Sequence, residues 1–79
     1  MPGIDHFSMV PLYIQLADML REQIQAGDIG PGRPLPSQRT LIQEHEVARG
    51  TAARAIALLV DEGLVVIVPG KGAFVKPQQ

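Results

Sequence analysis

A mainly helical α+β fold is predicted by three features that follow one another along the chain. Two amphipathic helix patterns meet at the tight turn Glu46-Val47-Ala48-Arg49-Gly50-Thr51. A β-branched run, Leu64-Val65-Val66-Ile67-Val68, starts directly after Gly63. It reverses at Pro69-Gly70-Lys71-Gly72 into Ala73-Phe74-Val75-Lys76. Helix, turn, helix and hairpin, with one more helix ahead of them, make the plan of a winged helix-turn-helix: three helices, then a two-stranded β-hairpin wing.

Residues 1–9 show no periodicity and are expected to form a flexible lead-in; 10–76 form the folded domain and 77–79 a short tail. From Pro11 onward, Leu12, Leu16, Met19, Leu20 and Ile24 recur at steps of three and four, one face of an amphipathic helix over about 11–26. Pro11 suits the first helical turn, and Gly27 supplies a left-handed stop. The leucines of this stripe read as core rather than as a dimer face, because a domain this small needs them inside.

Between 28 and 36, Pro31, Pro34 and Pro36 alternate with Gly30 and Gly32, which forbids helix and predicts a turn with a short third strand near 33–35. Ser37 is placed to cap a second helix over about 38–45, although Thr40 stands where a capping box would have an acidic or amide side chain. That helix buries Leu41 and Ile42. The third begins near Arg49, turns Ala52, Ala55, Ile56, Leu59 and Val60 inward, and ends at Gly63.

With 79 residues, 46% of them hydrophobic, the chain is one thin-cored domain and not a disordered segment. The absence of cysteine excludes a disulfide framework, a thiolate nucleophile and a cysteine zinc site. No apolar run approaches the roughly 18 residues of a membrane span. The first residues lack the basic start of a signal peptide, so a cytoplasmic location is expected.

A net charge of −1 counts against a nucleic-acid partner, but the charges are segregated. Asp5, Asp18, Glu22 and Asp28 face Arg21 alone in the first thirty residues, whereas Arg33, Arg39, Arg49 and Arg54 outnumber Glu44 and Glu46 in the next thirty. Past Gly63 the charges are Lys71 and Lys76. A local basic face attracts phosphate without a basic whole.

Catalysis has little to stand on. His6 and His45 are far apart and have no partners at ligand spacing, so both read as exposed polar residues. Asp61-Glu62 at a helix C-terminus reads as solvated surface. Gly70-Lys71-Gly72 joins strand to strand, unlike a phosphate-binding loop, and reads as a hairpin tip that reaches DNA. No metal or other cofactor is implied.

The arginines carry the positive case. Arg49, Gly50 and Thr51 form the first turn of the third helix, the end that enters a major groove in a helix-turn-helix. An arginine there can bond guanine or phosphate with its fork of N–H groups. Gly50 lets a backbone approach, Thr51 offers a hydroxyl, and Arg39 opens the second helix. Arg54 lies about 140° around the helix from Arg49 at ~100° per residue, so it leans toward a phosphate in another direction.

Taken together, Pro11-Leu12-Tyr13-Ile14-Gln15-Leu16-Ala17, the stretch Gly27 to Ser37, Val47-Ala48-Arg49-Gly50-Thr51, and Glu62-Gly63-Leu64-Val65 through Gly70-Lys71-Gly72-Ala73-Phe74-Val75 resemble the N-terminal DNA-binding domain of GntR-family bacterial transcription regulators. The resemblance covers about residues 10–76. It implies a winged helix-turn-helix that acts as a dimer on a palindromic operator in double-stranded DNA, beside a separate effector-binding domain.

By resemblance, the DNA-contacting arginines fall on Arg39 and Arg49, the threonine on Thr51 and the wing-tip glycine on Gly70; Ser37, Gly50, Arg54 and Lys71 complete the expected site. Five positions depart. Ala48 replaces a capping serine or threonine, and Ala53 a further arginine, so a shallower salt dependence is expected. Glu46 stands where glycine is usual, which predicts a left-handed residue strained by about 1 kcal/mol. Gln38 and Thr40 replace glutamates.

The chain ends just after the wing, either as an excised domain or as a natural short regulator. In both cases no effector site is expected within it, and its self-association is expected to be weak. The rival reading is a winged-helix module that contacts protein; a small enzyme has no candidate residues.

Overall fold

The computed structural model describes residues 4–77. Of the expected lead-in and tail, residues 1–3 and 78–79 lie outside the described residues. Three helices, α1 (Leu12–Gln25), α2 (Gln38–His45) and α3 (Arg49–Asp61), precede two antiparallel strands, β1 (Val65–Val68) and β2 (Gly72–Val75). This is the winged helix-turn-helix plan. No described helix is long and apolar enough to cross a membrane.

The core forms where α3 lies on α1. Leu16, Ala17 and Leu20 of α1 meet Ala52, Ala55, Ile56 and Leu59 of α3, with Leu41 of α2, Val47 of the turn, Leu35, Val65 and Val75 closing the cluster. Alanines at 17, 52 and 55 are fully buried, and their small side chains let the helix axes approach. Ile42 and Val60, both expected inside, are only half-buried and pack on the rim, as do Leu12, Met19 and Ile24.

α1 is one residue shorter at each end than its apolar pattern predicts. Pro11 has an extended ψ of 144°, so it caps the helix from outside the first turn, and its carbonyl accepts from the N–H groups of Ile14 and Gln15. Gly27, at φ 87°, makes the left-handed stop. Gly63, at φ 81°, ends α3 in a full Schellman motif: its N–H bonds the Val60 carbonyl at 3.0 Å and that of Leu64 bonds Leu59 at 3.1 Å. That bond commits the Leu64 N–H, so β1 starts at Val65.

In the hairpin Val65 pairs with Val75 and Val68 with Gly72. The Lys71 N–H bonds the Val68 carbonyl at 2.9 Å across Pro69 and Gly70. Proline followed by glycine at φ 78° is the pattern of a type II turn. β2 therefore begins at Gly72 and ends at Val75, one residue earlier at each end than expected.

The expected third strand is a single bridge, Pro34 to Phe74. The flanking groups make its hydrogen bonds, Val75 N–H to the Arg33 carbonyl at 2.8 Å and Leu35 N–H to the Ala73 carbonyl at 2.9 Å. Pro34 thus occupies the position that needs no donor, which is how proline is accommodated on this edge.

Where it is described, the lead-in makes specific hydrogen bonds. Gln15 clasps it, accepting from the Asp5 N–H at 2.8 Å and donating to the carbonyls of Asp5 and Val10 at 3.0 and 2.8 Å. His6 donates from Nε2 to the carbonyl of His45 at 3.0 Å, which ties this segment to the end of α2. Phe7 and Met9 point into solvent.

Glu62, expected to be solvated, is paired. Arg21 of α1 donates to both its carboxylate oxygens, at 2.8 and 2.6 Å, and to Asp18 at 2.5 Å. The hydrogen bonds from Arg21 hold the Glu62 carboxyl below the usual glutamate range. The folded state therefore binds its proton less tightly than the unfolded chain, and the stability this contributes is present above the ordinary pKa and lost as pH falls through the lowered one. Urea midpoints measured against pH should show wild type losing stability faster than Glu62→Gln in that acidic window, with the curves converging below it. Parallel curves would remove this carboxylate from the acid response.

Candidate nucleic-acid interface

Two local devices set the reading end of the protein. Ser37, extended at ψ 159°, caps α2 by accepting from the Thr40 N–H at 3.1 Å. Its own hydroxyl proton goes to Thr40 Oγ1 at 3.0 Å, so Thr40 makes a reciprocal contact where a capping-box side chain was lacking. Glu46 then takes the left-handed conformation, φ 55° and ψ 48°, and reverses the chain into α3. The glutamate stands where glycine would be unstrained.

α3 starts without a side-chain cap, since Ala48 has the capping backbone but no oxygen to offer. The N–H groups of its first turn therefore lack both intrahelical and cap acceptors, and they lie at the same end as Arg49. Burial of Ala52, Ala55, Ile56 and Leu59 turns the opposite side outward, where Gly50, Arg54 and Ala57 are exposed, with Arg49 exposed at its edge.

Arg39 and Arg49 share one open cleft between α2 and α3, walled by Gln38, Ile42 and Gln43. A second, adjoining groove runs between the 34–38 segment, Ile56 and the wing, and brings Ser37 and Gln38 toward Lys71 and Gly72. Gln38 lines both. The two grooves join Arg49, Arg39, Gln38, Ser37 and Lys71 in one strip, with Gly70 beside Lys71 at the wing tip.

Arg54 is not part of this strip. Its guanidinium lies 4.0 Å above the centre of the Tyr13 ring of α1, on the other flank of α3. Thr51 is half-buried, and the Ser37 hydroxyl is committed to its cap.

Gln38 and Gln43 escaped the sequence reading. Gln43 had a signal, since it stands four residues from Arg39 and thus on the same helix face. Ile67 on the wing, 55% exposed beside Lys71, had none.

The described ion pairs use Arg21, Asp18 and Glu62. They sit at the far end of α3, about 20 Å from Arg49 at ~1.5 Å per residue. Among the described residues, Arg39, Arg49 and Lys71 have no carboxylate partner. The strip therefore keeps its positive charge for a ligand.

Comparison with known proteins bears on the family and the fold. The family described as bacterial regulatory proteins, gntR family, matches residues 12–75. The HTH-type transcriptional repressor NagR of Bacillus subtilis is 38% identical over 77 residues, 96% of this chain and 32% of that protein. The Escherichia coli mannosyl-D-glycerate transport/metabolism system repressor MngR is 39% identical over 69 residues, 87% of this chain and 29% of its own length. The chain thus spans about a third of these curated relatives.

Among solved structures, YtrA from Sulfolobus acidocaldarius, a GntR-family transcription factor, superposes with a TM-score of 0.87 at 39% identity, covering 98% of this chain and 81% of YtrA. The AraR DNA-binding domain in complex with operator ORR3 gives 0.82 at 33% identity, covering 95% of this chain and 90% of that one.

Gly50 gives a test of the outward face. Its φ is not positive and a Cβ there would meet no atom within 4 Å, so nothing in the free protein demands glycine. Gly50→Ala should raise stability, by up to about 1 kcal/mol for a helical position, while weakening binding to double-stranded DNA. Thermal melts and duplex titrations on one preparation check both signs; undiminished affinity would mean that nothing approaches this turn closely.

Proposed function

Because the chain belongs to the gntR family of bacterial regulatory proteins, we propose that it is the sequence-specific DNA-binding part of a transcription regulator, with the N-terminal turn of α3 in the major groove and the wing on the adjacent backbone. The observation that carries this reading is the shared cleft of Arg39 and Arg49, continuous with the groove that holds Lys71. An exposed helix end with an arginine at its edge fits a groove that presents guanine acceptors, and a neighbouring cation on the wing fits the phosphates beside it. The relative solved with its operator supports DNA over a protein partner.

The rest of the proposal follows from the same family. Residues 10–76 serve as the binding domain, a pair of copies meets a palindromic operator, and self-association is weak without the operator or a further domain. A small module makes few phosphate contacts, so two copies multiply them. Repression is the expected outcome, as in NagR and MngR by their names, in the cytoplasm and without catalysis.

Arg49 and Arg39 have separable roles. On a duplex selected from a random pool, Arg49→Ala should cost at least ~1 kcal/mol relative to its loss on a scrambled duplex. Arg39→Ala should weaken both about equally, as a phosphate contact does. Titrations at stepped salt concentrations check this, with affinity falling steeply as salt rises. No complex with any duplex at low salt would instead point to an acidic protein partner.

A further inference from the structure

We propose that Tyr13 is a positioning residue for DNA contact, holding the Arg54 guanidinium so that it forms a second phosphate seat on the α1 flank of α3; this rests on the DNA-binding reading above. The guanidinium carbon lies 4.0 Å over the ring centre. A guanidinium held over a ring face in this way spends none of its N–H groups on a hydrogen-bond acceptor and keeps them to donate. Among the described residues no carboxylate pairs with Arg54 and no acceptor takes its N–H groups.

The ring is itself well anchored. Tyr13 is half-buried in the first turn of α1, just ahead of the fully buried Leu16 and Ala17. An arginine already ordered on such a support loses less freedom when it binds than one moving in water.

The helix geometry says what this arginine would meet. Arg49 and Arg54 are about 140° apart around α3 at ~100° per residue. Toward the N-terminal end of α3 the side chains between them are small, Gly50, Ala53 and Ala57, while Val60 and Asp61 share that sector only in the last turn. A helix about 10 Å across fills a major groove about 12 Å wide, so cations on its two edges face opposite phosphate walls. Arg49 and the strip serve one wall. Arg54, braced from behind by Tyr13, serves the other.

The test is a double-mutant cycle on a selected duplex across a range of salt. Arg54→Ala should lower the slope of log affinity against log salt by about one phosphate contact. Tyr13→Leu, which keeps an apolar contact but loses the ring, should weaken binding about threefold, and Tyr13→Phe should match wild type. In the Arg54→Ala background, Tyr13→Leu should have no further effect. An equal loss in both backgrounds would make Tyr13 merely structural, and an unchanged slope for Arg54→Ala would remove the second seat; either overturns the proposal.

Should Tyr13→Leu fail to fold, the wild-type protein still decides. The δ-methylene protons of Arg54 should show an upfield ring-current shift in the NMR spectrum, and its absence would overturn the brace. If wild type binds no duplex at low salt, the DNA reading itself has failed, an outcome distinct from a loss of slope or coupling.

Discussion

The rotational setting of α3 against α1 governs nearly everything else in this molecule. Three fully buried alanines, at 17, 52 and 55, let the two helices pack closely. Leu16, Leu20, Ile56 and Leu59 lock the contact by filling the space around them. Once that face of α3 is committed, the direction of every other residue on it is fixed by the helical period. Arg49 must emerge on the side of α2 and Arg54 on the side of α1, with Gly50, Ala53 and Ala57 between them toward the N-terminal end. A core substitution that rotated α3 by one residue, about 100°, would move both arginines without altering either.

Chain reversals deliver the ends of α3 to their places. At its start Glu46 accepts a left-handed backbone, costing about 1 kcal/mol that glycine would save, and the turn it makes sets Arg49 beside Arg39. At its far end Gly63 completes a Schellman motif and launches β1, so the wing leaves the body on the side of the second groove. The wing base is tied in by Val65 and Val75, both buried, while Ile67 near the tip projects past the core. The Pro34 bridge braces the outer edge of β2 and carries the chain straight into Ser37. Strand edge, helix cap and wing tip are thus parts of one rim.

The three helices, the hairpin and the Ser37 cap were legible in the sequence, each a local matter of periodicity, turn chemistry or a short-range hydrogen bond. The left-handed Glu46 was implied by the family resemblance, through a position where glycine is usual. What escaped were pairings between distant residues. Glu62 is 41 residues from Arg21, and nothing in either segment marks them as partners. Tyr13 and Arg54 meet only because α1 and α3 cross where they do. Gln15 has no partner in its own helix turn to mark it, yet its amide bonds the lead-in that lacked any pattern of its own. The separation of Arg54 from Arg49 was legible in the helical period, but not the union of Arg39, Arg49 and Lys71 in one strip or the Tyr13 ring under Arg54, which depend on the tertiary packing.

Those long-range pairings also resolve the tension between an acidic total and an anionic partner. A net charge of −1 is a sum over the chain, whereas a phosphate responds to the charges within about a Debye length, ~10 Å at moderate salt. Arg21 gathers Asp18 and Glu62 into one ion-paired cluster at the C-terminal end of α3, with half of their negative charge offset. The helix itself, about 20 Å long at ~1.5 Å per residue, keeps that cluster away from Arg49. At the N-terminal end the uncapped N–H groups add partial positive charge to the cations already there. Asp18 and Glu62 are therefore held where they oppose binding least, and α3 keeps the two ends of this charge separation apart.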